Sequence, residues 1–263
     1  MLSVENYKYI PWNIKFQNEV SLEKISIYDK HWHDYFGRLF EKNLFGKLEN
    51  KLQEEIKSGY EIYPYPNLVF NAFNQCNFDD IKVVILGQDP YPKSQTFENM
   101  KIPQAMGLSF SVPIGMKIPS SLQNIYKNQL KYLDIEIPKH GNLQFWASQG
   151  CLLLNSSLTV REEKPNSHAT YWKMITDKII KHISTKHDDV VFVLWGNNAY
   201  DKMDMIDTNK HECVISSHPS GLSCDKPMKI YSAFREVNHF GKINDLLSKH
   251  GKRGIMWMNP FRL

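Results

Sequence analysis

The chain has 263 residues, of which 42% are hydrophobic and 23% charged, the composition of an ordinary globular protein. These values exclude disordered, collagen-like and miniprotein classes, because a chain of this length buries enough surface to form its own core. Thirty-two Lys and Arg residues against 28 Asp and Glu leave a formal net charge of +4, a mild bias that is compatible with an acidic polymer as partner.

The cysteines and the apolar runs of the sequence indicate the cellular compartment of the protein. The four cysteines form no C-x-x-C pair, so neither a zinc site nor a disulfide framework is predicted. The first 30 residues contain no basic and apolar leader, and no apolar run approaches the roughly 20 residues of a membrane span. We therefore expect a soluble, intracellular protein with no membrane contact, in either the nucleus or the cytoplasm.

The amino-terminal part predicts an arm and a long helix. Residues 1–30 are mixed and interrupted by proline, which indicates an arm packed on the body of the protein. Residues 31–57 carry an apolar side chain at nearly every fourth position and are followed by Gly59, so one helix is predicted there. No repeat, low-complexity tract or Gly/Ser linker divides the rest, and residues 31–263 are predicted to form a single domain.

Short apolar runs further along the chain predict the sheet. Their continuous rather than alternating apolarity is typical of strands buried on both faces of a parallel sheet. Between the runs, helical patterns cover residues 120–132, 171–183 and 240–250, the first opening with a capping box from Ser120 to Gln123. We expect an α/β fold with a central, mostly parallel four-stranded sheet flanked by helices. The predicted strands are residues 82–86, 151–154, 190–194 and 213–215.

Polar residues follow each predicted strand, at the edge where parallel sheets bind ligands. Taken singly, these residues have ordinary structural interpretations. Asp89 or Asn155 most often forms a turn or caps a helix in such a position. His218 beside a proline is commonly a structural hydrogen-bonding group, and Phe110 would usually belong to the core. No single residue therefore identifies a function.

Four sequence motifs, taken in their order along the chain, resemble those of one known family. GQDPYP at 87–92, GLSFSV at 107–112, LLLN at 152–155 and HPSGLS at 218–223 resemble the signature blocks of family 1 uracil-DNA glycosylases. The similarity spans about residue 32 to the carboxyl terminus. It implies the fold of that family, hydrolysis of the N-glycosidic bond of deoxyuridine in DNA, release of uracil and an abasic site for base excision repair. It also implies that no cofactor and no metal are needed.

The resemblance implies a role for each residue of the pocket. Bond cleavage passes through an oxocarbenium-like sugar and a uracil anion, so the site must stabilise both charges and supply water. The implied catalytic residues are Asp89, which holds the water and favours the sugar cation, and His218, which donates a hydrogen bond to uracil O2. The implied uracil-binding residues are Asn155 on O4 and N3–H, Phe110 stacked on the base, Tyr91 against the 5-methyl of thymine, and Gln88 through its backbone.

The resemblance further implies a DNA-binding face. A uracil within a duplex must be flipped out, and Leu222 occupies the place of the family's apolar wedge. Small residues in three loops would contact the phosphates. The expected partner is uracil-containing DNA, single- or double-stranded, bound by a monomer, and a replication-associated protein partner is left open. The implied phosphate contacts are Ser120, Ser121, Gly196, Asn197, Ser220 and Ser223.

The chain departs from the family pattern at several places. Pro92 stands where many relatives have histidine, Asn197 where they have serine, and Ser120 and Gly221 where they have proline. The stretches 93–106 and 224–238 are longer than usual. These departures bear on rate, DNA affinity and duplex preference rather than on the type of reaction.

Two other functions remain open from the sequence. One is a DNA-binding or processivity module with weak or incidental glycosylase activity, which the altered loops favour and the intact set of pocket residues disfavours. The other is a generic nucleotide-binding α/β enzyme. It lacks support, because no G-x-G-x-x-G or G-x-x-x-x-G-K-[ST] loop follows any predicted strand.

Overall fold

A parallel sheet forms the centre of the protein, which we describe from a computed structural model over residues 1–258. Each of the four predicted strands is present within one residue of its predicted bounds, and the predicted α/β fold is confirmed. Their side chains are largely buried because helices cover both faces. In chain order the strands are β1 (Ile62–Tyr63), β2 (Val83–Gly87), β3 (Ser94–Phe97), β4 (Met100–Pro103), β5 (Cys151–Asn155), β6 (Val160–Arg161), β7 (Val191–Trp195) and β8 (Glu212–Ser216).

The strand order of the central sheet is β5-β2-β7-β8, and all three pairings are parallel. Gly87 is the register partner of Asn155, and Trp195 is that of Ser216. The carboxyl ends of the strands are therefore level, and the loops that follow them emerge at one edge. Two short antiparallel pairs, β1 with β6 and β3 with β4, lie outside this sheet.

Helices surround the sheet, and those predicted after residue 100 are confirmed. In the helix Ala169–Lys186 a stripe of buried isoleucines at four-residue spacing faces the core, as its pattern predicted. In chain order the helices are α1 (Trp12–Lys15), α2 (Lys30–Glu41), α3 (Gly46–Lys57), α4 (Asn71–Gln75), α5 (Ser120–Leu133), α6 (Gln144–Ala147), α7 (Ala169–Lys186), α8 (Asn197–Tyr200) and α9 (His239–Lys249).

The prediction of one helix over residues 31–57 is wrong, because the structure has α2 and α3 separated by a turn. Asn43 takes a left-handed backbone conformation with φ 51°, which ends the first helix. Phe45 then packs on Phe40 with ring centroids 4.2 Å apart. Both helices face the same core, so the four-residue apolar spacing continues across the break and conceals it.

The capping box predicted at Ser120 is also wrong. Pro119 takes the N-cap position of α5 in an extended conformation, and Ser120 is the first helical residue. Proline has no N–H for the side chain of Gln123 to accept, so the reciprocal bond of the box cannot form. Gln123 instead donates to the carbonyl of Ile118 at 2.9 Å.

The first 30 residues lie against the body of the protein. The Val4 N–H donates to the Ile114 carbonyl at 2.9 Å, and the Trp12 indole donates to the Pro64 carbonyl at 2.9 Å. Trp12 and Leu22 are buried in the common hydrophobic core. The division into an arm of residues 1–30 and a domain of residues 31–263 stays a prediction.

Other expectations concern metals, disulfides and membranes. All four cysteines are free thiols. Among residues 1–258, no three His, Cys, Asp or Glu side chains are placed to hold a metal ion. No helix in the same part of the chain is long and apolar enough to cross a bilayer.

Candidate active site

The ends of the four central strands bring distant parts of the sequence together. Gly196, directly after β7, has φ 90°, and a Cβ atom on it would lie 2.8 Å from the Cβ of His218. The His218 ring is 5.9 Å from the ring of Phe110, centroid to centroid, and Phe110 lies 5.7 Å from Trp195. Glycine at 196 is thus required both by the backbone and by the close approach of the histidine.

A small pocket opens beside these rings. It lies under the turn that follows β2 and beside the end of β5. Its wall combines polar groups with apolar ones, which suits a flat polar ring. The lining residues are Asp89, Pro90, Tyr91, Ala105, Met106, Gly107, Leu108, Phe110 and Asn155.

Asn155 supplies the buried polar group of the pocket. Its side chain ends β5 and is only 6% exposed, yet its amide makes no hydrogen bond to any residue in 1–258. Gly87 lies opposite, and a Cβ there would come within 2.1 Å of the Asn155 amide oxygen. A buried amide needs partners, so both its donor and its acceptor are available to a ligand.

Phe110 is held in a strained backbone conformation. Its φ of 62° is left-handed, which is rare and costly for a bulky residue. The Ser109 N–H donates to the Leu153 carbonyl at 3.0 Å, and the Ser109 hydroxyl donates to the Ile85 carbonyl at 3.2 Å. The Tyr91 hydroxyl donates to the Phe110 carbonyl at 3.3 Å. These bonds fix the two rings relative to the sheet.

Asp89 follows β2 by two residues and is partly buried. Its Oδ2 atom accepts the backbone N–H of Asn166 at 2.7 Å. Burial raises the pKa of the Asp89 carboxyl above its usual value, and the Asn166 N–H opposes this by stabilising the charge. Its Oδ1 atom has no hydrogen-bond partner among the described residues, which leaves one carboxylate oxygen for water.

His218 presents one defined nitrogen to the pocket edge. The Ser220 N–H donates to its Nδ1 atom at 3.0 Å. Burial lowers the pKa of His218 to about 4, so the ring is neutral near pH 7. A neutral ring that accepts at Nδ1 carries its proton on Nε2, which is therefore a hydrogen-bond donor.

The 218–223 loop has a fixed base and an exposed tip. Asn124 of α5 donates to the Pro219 carbonyl at 2.8 Å, and the Ser217 hydroxyl donates to the Ser223 carbonyl at 2.9 Å. Leu222, at the tip, is 85% exposed, and a Cβ on Gly221 would meet nothing within 4 Å. The bond from Asn124 also places the amino-terminal half of α5 beside this loop.

The residues predicted to contact phosphates lie in three loops around the pocket. Ser120 and Ser121 form the first turn of α5, where backbone N–H groups lack partners within the helix. Gly196 and Asn197 begin α8 next to His218, and Ser220 and Ser223 flank Leu222. The predicted site residues are thus brought to one edge of the sheet.

Gln88 is the exception among the predicted site residues, because its side chain points away from the pocket and forms hydrogen bonds with Asn166 and Asn198.

Asn166 itself was not among the residues predicted from the sequence. It follows the stretch LTVRE at 158–162, and no pattern distinguishes it from an ordinary loop asparagine. Only the fold brings its N–H to Asp89. The two longer stretches differ from each other. Residues 93–106 contain the hairpin of β3 and β4, and Arg235 in the second pairs with Asp225 at 3.0 Å.

Comparisons with known proteins agree on one family. The model of the uracil DNA glycosylase superfamily matches residues 73–244. A Campylobacter curvus protein named uracil-DNA glycosylase is 44% identical over 247 residues, which cover 93% of this chain and 100% of that protein. The crystal structure of mimivirus uracil-DNA glycosylase superposes with a TM-score of 0.92 at 37% identity, over 98% of this chain and 97% of that one. A mimivirus Y322L variant, solved in complex with UGI, superposes equally well, with a TM-score of 0.92.

Proposed function

Since the chain belongs to the uracil-DNA glycosylase superfamily and excises uracil from DNA, we propose that Asp89, His218 and Asn155 perform this reaction. The observation that carries the proposal is the single pocket in which Asp89, Asn155, Phe110 and Tyr91 meet. The His218 ring lies beside it, against Phe110.

Asp89 and His218 act on opposite charges in this proposal. As the bond between C1′ and uracil N1 breaks, its electron pair moves into the base and the sugar becomes cationic. The Asp89 carboxylate favours the cation and orients a water on Oδ1, taking its proton after attack on C1′. Nε2 of neutral His218 donates a hydrogen bond to O2 of the uracil anion. One such donor is worth roughly 10²- to 10³-fold in rate.

Asn155 selects the base. Its amide accepts from N3–H with the oxygen and donates to O4 with the nitrogen, whereas the edge of cytosine presents the reverse pattern. Because the amide is buried without another partner, a mismatched base leaves it unsatisfied, and rejection is strong. Phe110 stacks on the ring, and Tyr91 fills the space that a thymine methyl group needs. Gln88 contributes to the pocket through its backbone.

Leu222 and the three loops contact the DNA. The exposed Leu222 side chain enters the base stack as the uracil leaves it, which offsets part of an unstacking cost of a few kcal/mol. The protein binds single- and double-stranded DNA as a monomer. The loop residues Ser120, Ser121, Gly196, Asn197, Ser220 and Ser223 hold the phosphates through hydroxyls and backbone N–H groups.

The proposal is tested with end-labelled oligonucleotides that contain one U, T or C, incubated with the protein in EDTA and then treated with alkali. We expect scission only at U, with no requirement for a metal ion. A folded protein that binds these oligonucleotides without scission at U would contradict the proposal. That result would favour the DNA-binding or processivity module, in which the fold serves a replication partner.

A further inference from the structure

The side chain of Gln88 joins two loops on the far side of the turn that carries Asp89. Its Nε2 donates to Oδ1 of Asn166, and its Oε1 accepts from Nδ2 of Asn198. Both bonds lie in an open cavity that Ser156 and Thr170 also line. Side chains in an open cavity are held by hydrogen bonds more than by packing, so these two bonds determine where Gln88 lies.

Asn166 connects this pair of bonds to the carboxylate. Its backbone is left-handed, with φ 62°, and that conformation aims its N–H at Oδ2 of Asp89, 2.7 Å away. Asparagine adopts this conformation more readily than other residues with a side chain, and hydrogen bonds to its neighbours restrain it further. The bond from Gln88 is one of these restraints, and the Ala169 N–H on the Asn166 carbonyl at 3.2 Å is another.

Asn198 connects the other end to the proposed DNA-binding face. It is the exposed second residue of α8, directly after Gly196 and Asn197. A continuous series of hydrogen bonds therefore runs from Asn198 through Gln88 and Asn166 to Asp89.

We propose that Asn166 and Gln88 are positioning residues for Asp89. Asn166 keeps Oδ2 occupied, so that Oδ1 is the oxygen presented to water. Gln88 keeps Asn166 in place and links the carboxylate to the loop that receives the phosphates. This inference rests on the proposed role of Asp89, and it assigns the Gln88 side chain to alignment instead of to the base.

The test measures single-turnover excision, and separately DNA affinity, on a uracil-containing single strand. Gln88→Met keeps the length of the side chain and removes both hydrogen bonds. We expect it to lower the excision rate about tenfold, the loss of one or two neutral hydrogen bonds, with DNA affinity unchanged. Thr170→Ala is the matched control, because Thr170 lines the same cavity without a bond to Gln88, and its rate should equal that of the wild type.

A double-mutant cycle with Asp89→Ala separates positioning from a general structural role. If Gln88 acts through Asp89, Gln88→Met should have no further effect once the carboxylate is absent. Wild-type excision by Gln88→Met, or the same tenfold loss in the Asp89→Ala background, would overturn the inference. If Asp89→Ala itself remains fully active, the proposed function of Asp89 fails instead, so the two failures are distinguishable.

If Gln88→Met does not fold, Asn198→Ala tests the same inference. Asn198 is exposed, so removal of its side-chain amide leaves the core intact. We expect a smaller loss of rate, about threefold, because Gln88 retains its bond to Asn166. An unchanged rate with weakened DNA binding would assign Asn198 to phosphate contact alone and overturn the link to Asp89.

Discussion

The uracil pocket and the Leu222 loop face the same DNA but are built in opposite ways. Asn155, at a strand end, is 6% exposed, whereas Leu222, at a loop tip, is 85% exposed. The pocket is preorganised by strand register and by the strained Phe110, whereas at the loop tip a Cβ atom on Gly221 would meet nothing within 4 Å. Chemistry on a base requires groups fixed before it arrives, whereas displacing a base requires an apolar group that meets the stack first.

Replacing Asp89 by asparagine should give the largest effect. Asp89→Asn keeps the shape of the side chain and removes its charge and basicity, so excision should fall about 10⁴-fold while DNA binding persists. Single-turnover assays and gel-shift titration measure the two quantities. Asp204→Asn, at an exposed aspartate outside the pocket, is the control. Full activity of Asp89→Asn would remove Asp89 from the mechanism.

The base-reading role of Asn155 is tested by Asn155→Asp. The carboxylate can accept from the amino group of cytosine but repels O4 of uracil, so uracil excision should fall several-hundredfold and cytosine release should appear. Parallel assays on U- and C-containing strands measure this change, with exposed Asn209→Asp as control. Unchanged selectivity would argue against the proposed contact.

Gly87→Ala tests whether the pocket is as rigid as its geometry indicates. A Cβ at this position would approach the Asn155 amide oxygen to 2.1 Å and the Ser109 Cβ to 2.8 Å. The amide must then move, and we expect about a hundredfold loss in kcat/KM, because misplacement of about 1 Å has that cost. Gly37→Ala in α2 meets nothing within 4 Å and should be neutral. Normal activity of Gly87→Ala would mean that the pocket adapts.

Leu222→Ala should affect mainly the displacement of the base. We expect about a tenfold loss on duplex DNA and about a twofold loss on single strands, because only the duplex requires the few kcal/mol of unstacking. Rates on matched duplex and single-stranded substrates measure this, with Ile14→Ala at another exposed apolar side chain as control. An equal loss on both substrates would exclude the wedge.

The smallest expected effect is on the pH profile. His218 must be neutral to keep its donor on Nε2, and its pKa is lowered from 6.5 to about 4. Protonation therefore begins far below the ordinary histidine range, and excision between pH 5.5 and 7.5 should vary by less than about twofold from this group. Single-turnover rates across this range measure it. An inflection near pH 6.5 that disappears in His218→Leu would contradict the lowered pKa.

The same shift has a consequence for stability. His218 and His239, whose pKa values burial lowers to about 4 and about 3, bind protons more readily in the unfolded chain. Their contribution to the free energy of unfolding is fully present above about pH 6.5, and it is lost as the pH falls toward those two pKa values. The free energy of unfolding should therefore decrease with acidification below pH 6.5.

The sequence by itself determined the sheet and the positions where chemistry occurs. Continuous apolar runs cannot face water on either side, so the four central strands and their polar ends followed from local patterns. Four motifs indicated the pocket residues, because their similarity to the motifs of a known family can be recognised from the sequence alone. They lie at 87–92, 107–112, 152–155 and 218–223. These features depend on neighbours in sequence.

Only the tertiary structure decided the features that depend on backbone direction and on contacts between distant segments. The left-handed Asn43 splits a helix that the apolar spacing predicted as continuous, and Pro119 replaces the predicted cap. The direction of the Gln88 side chain and the Asn166 N–H on Asp89 join residues 77 or more positions apart. Such contacts are set by how strands and loops meet in space, and one sequence carries no local signal for them.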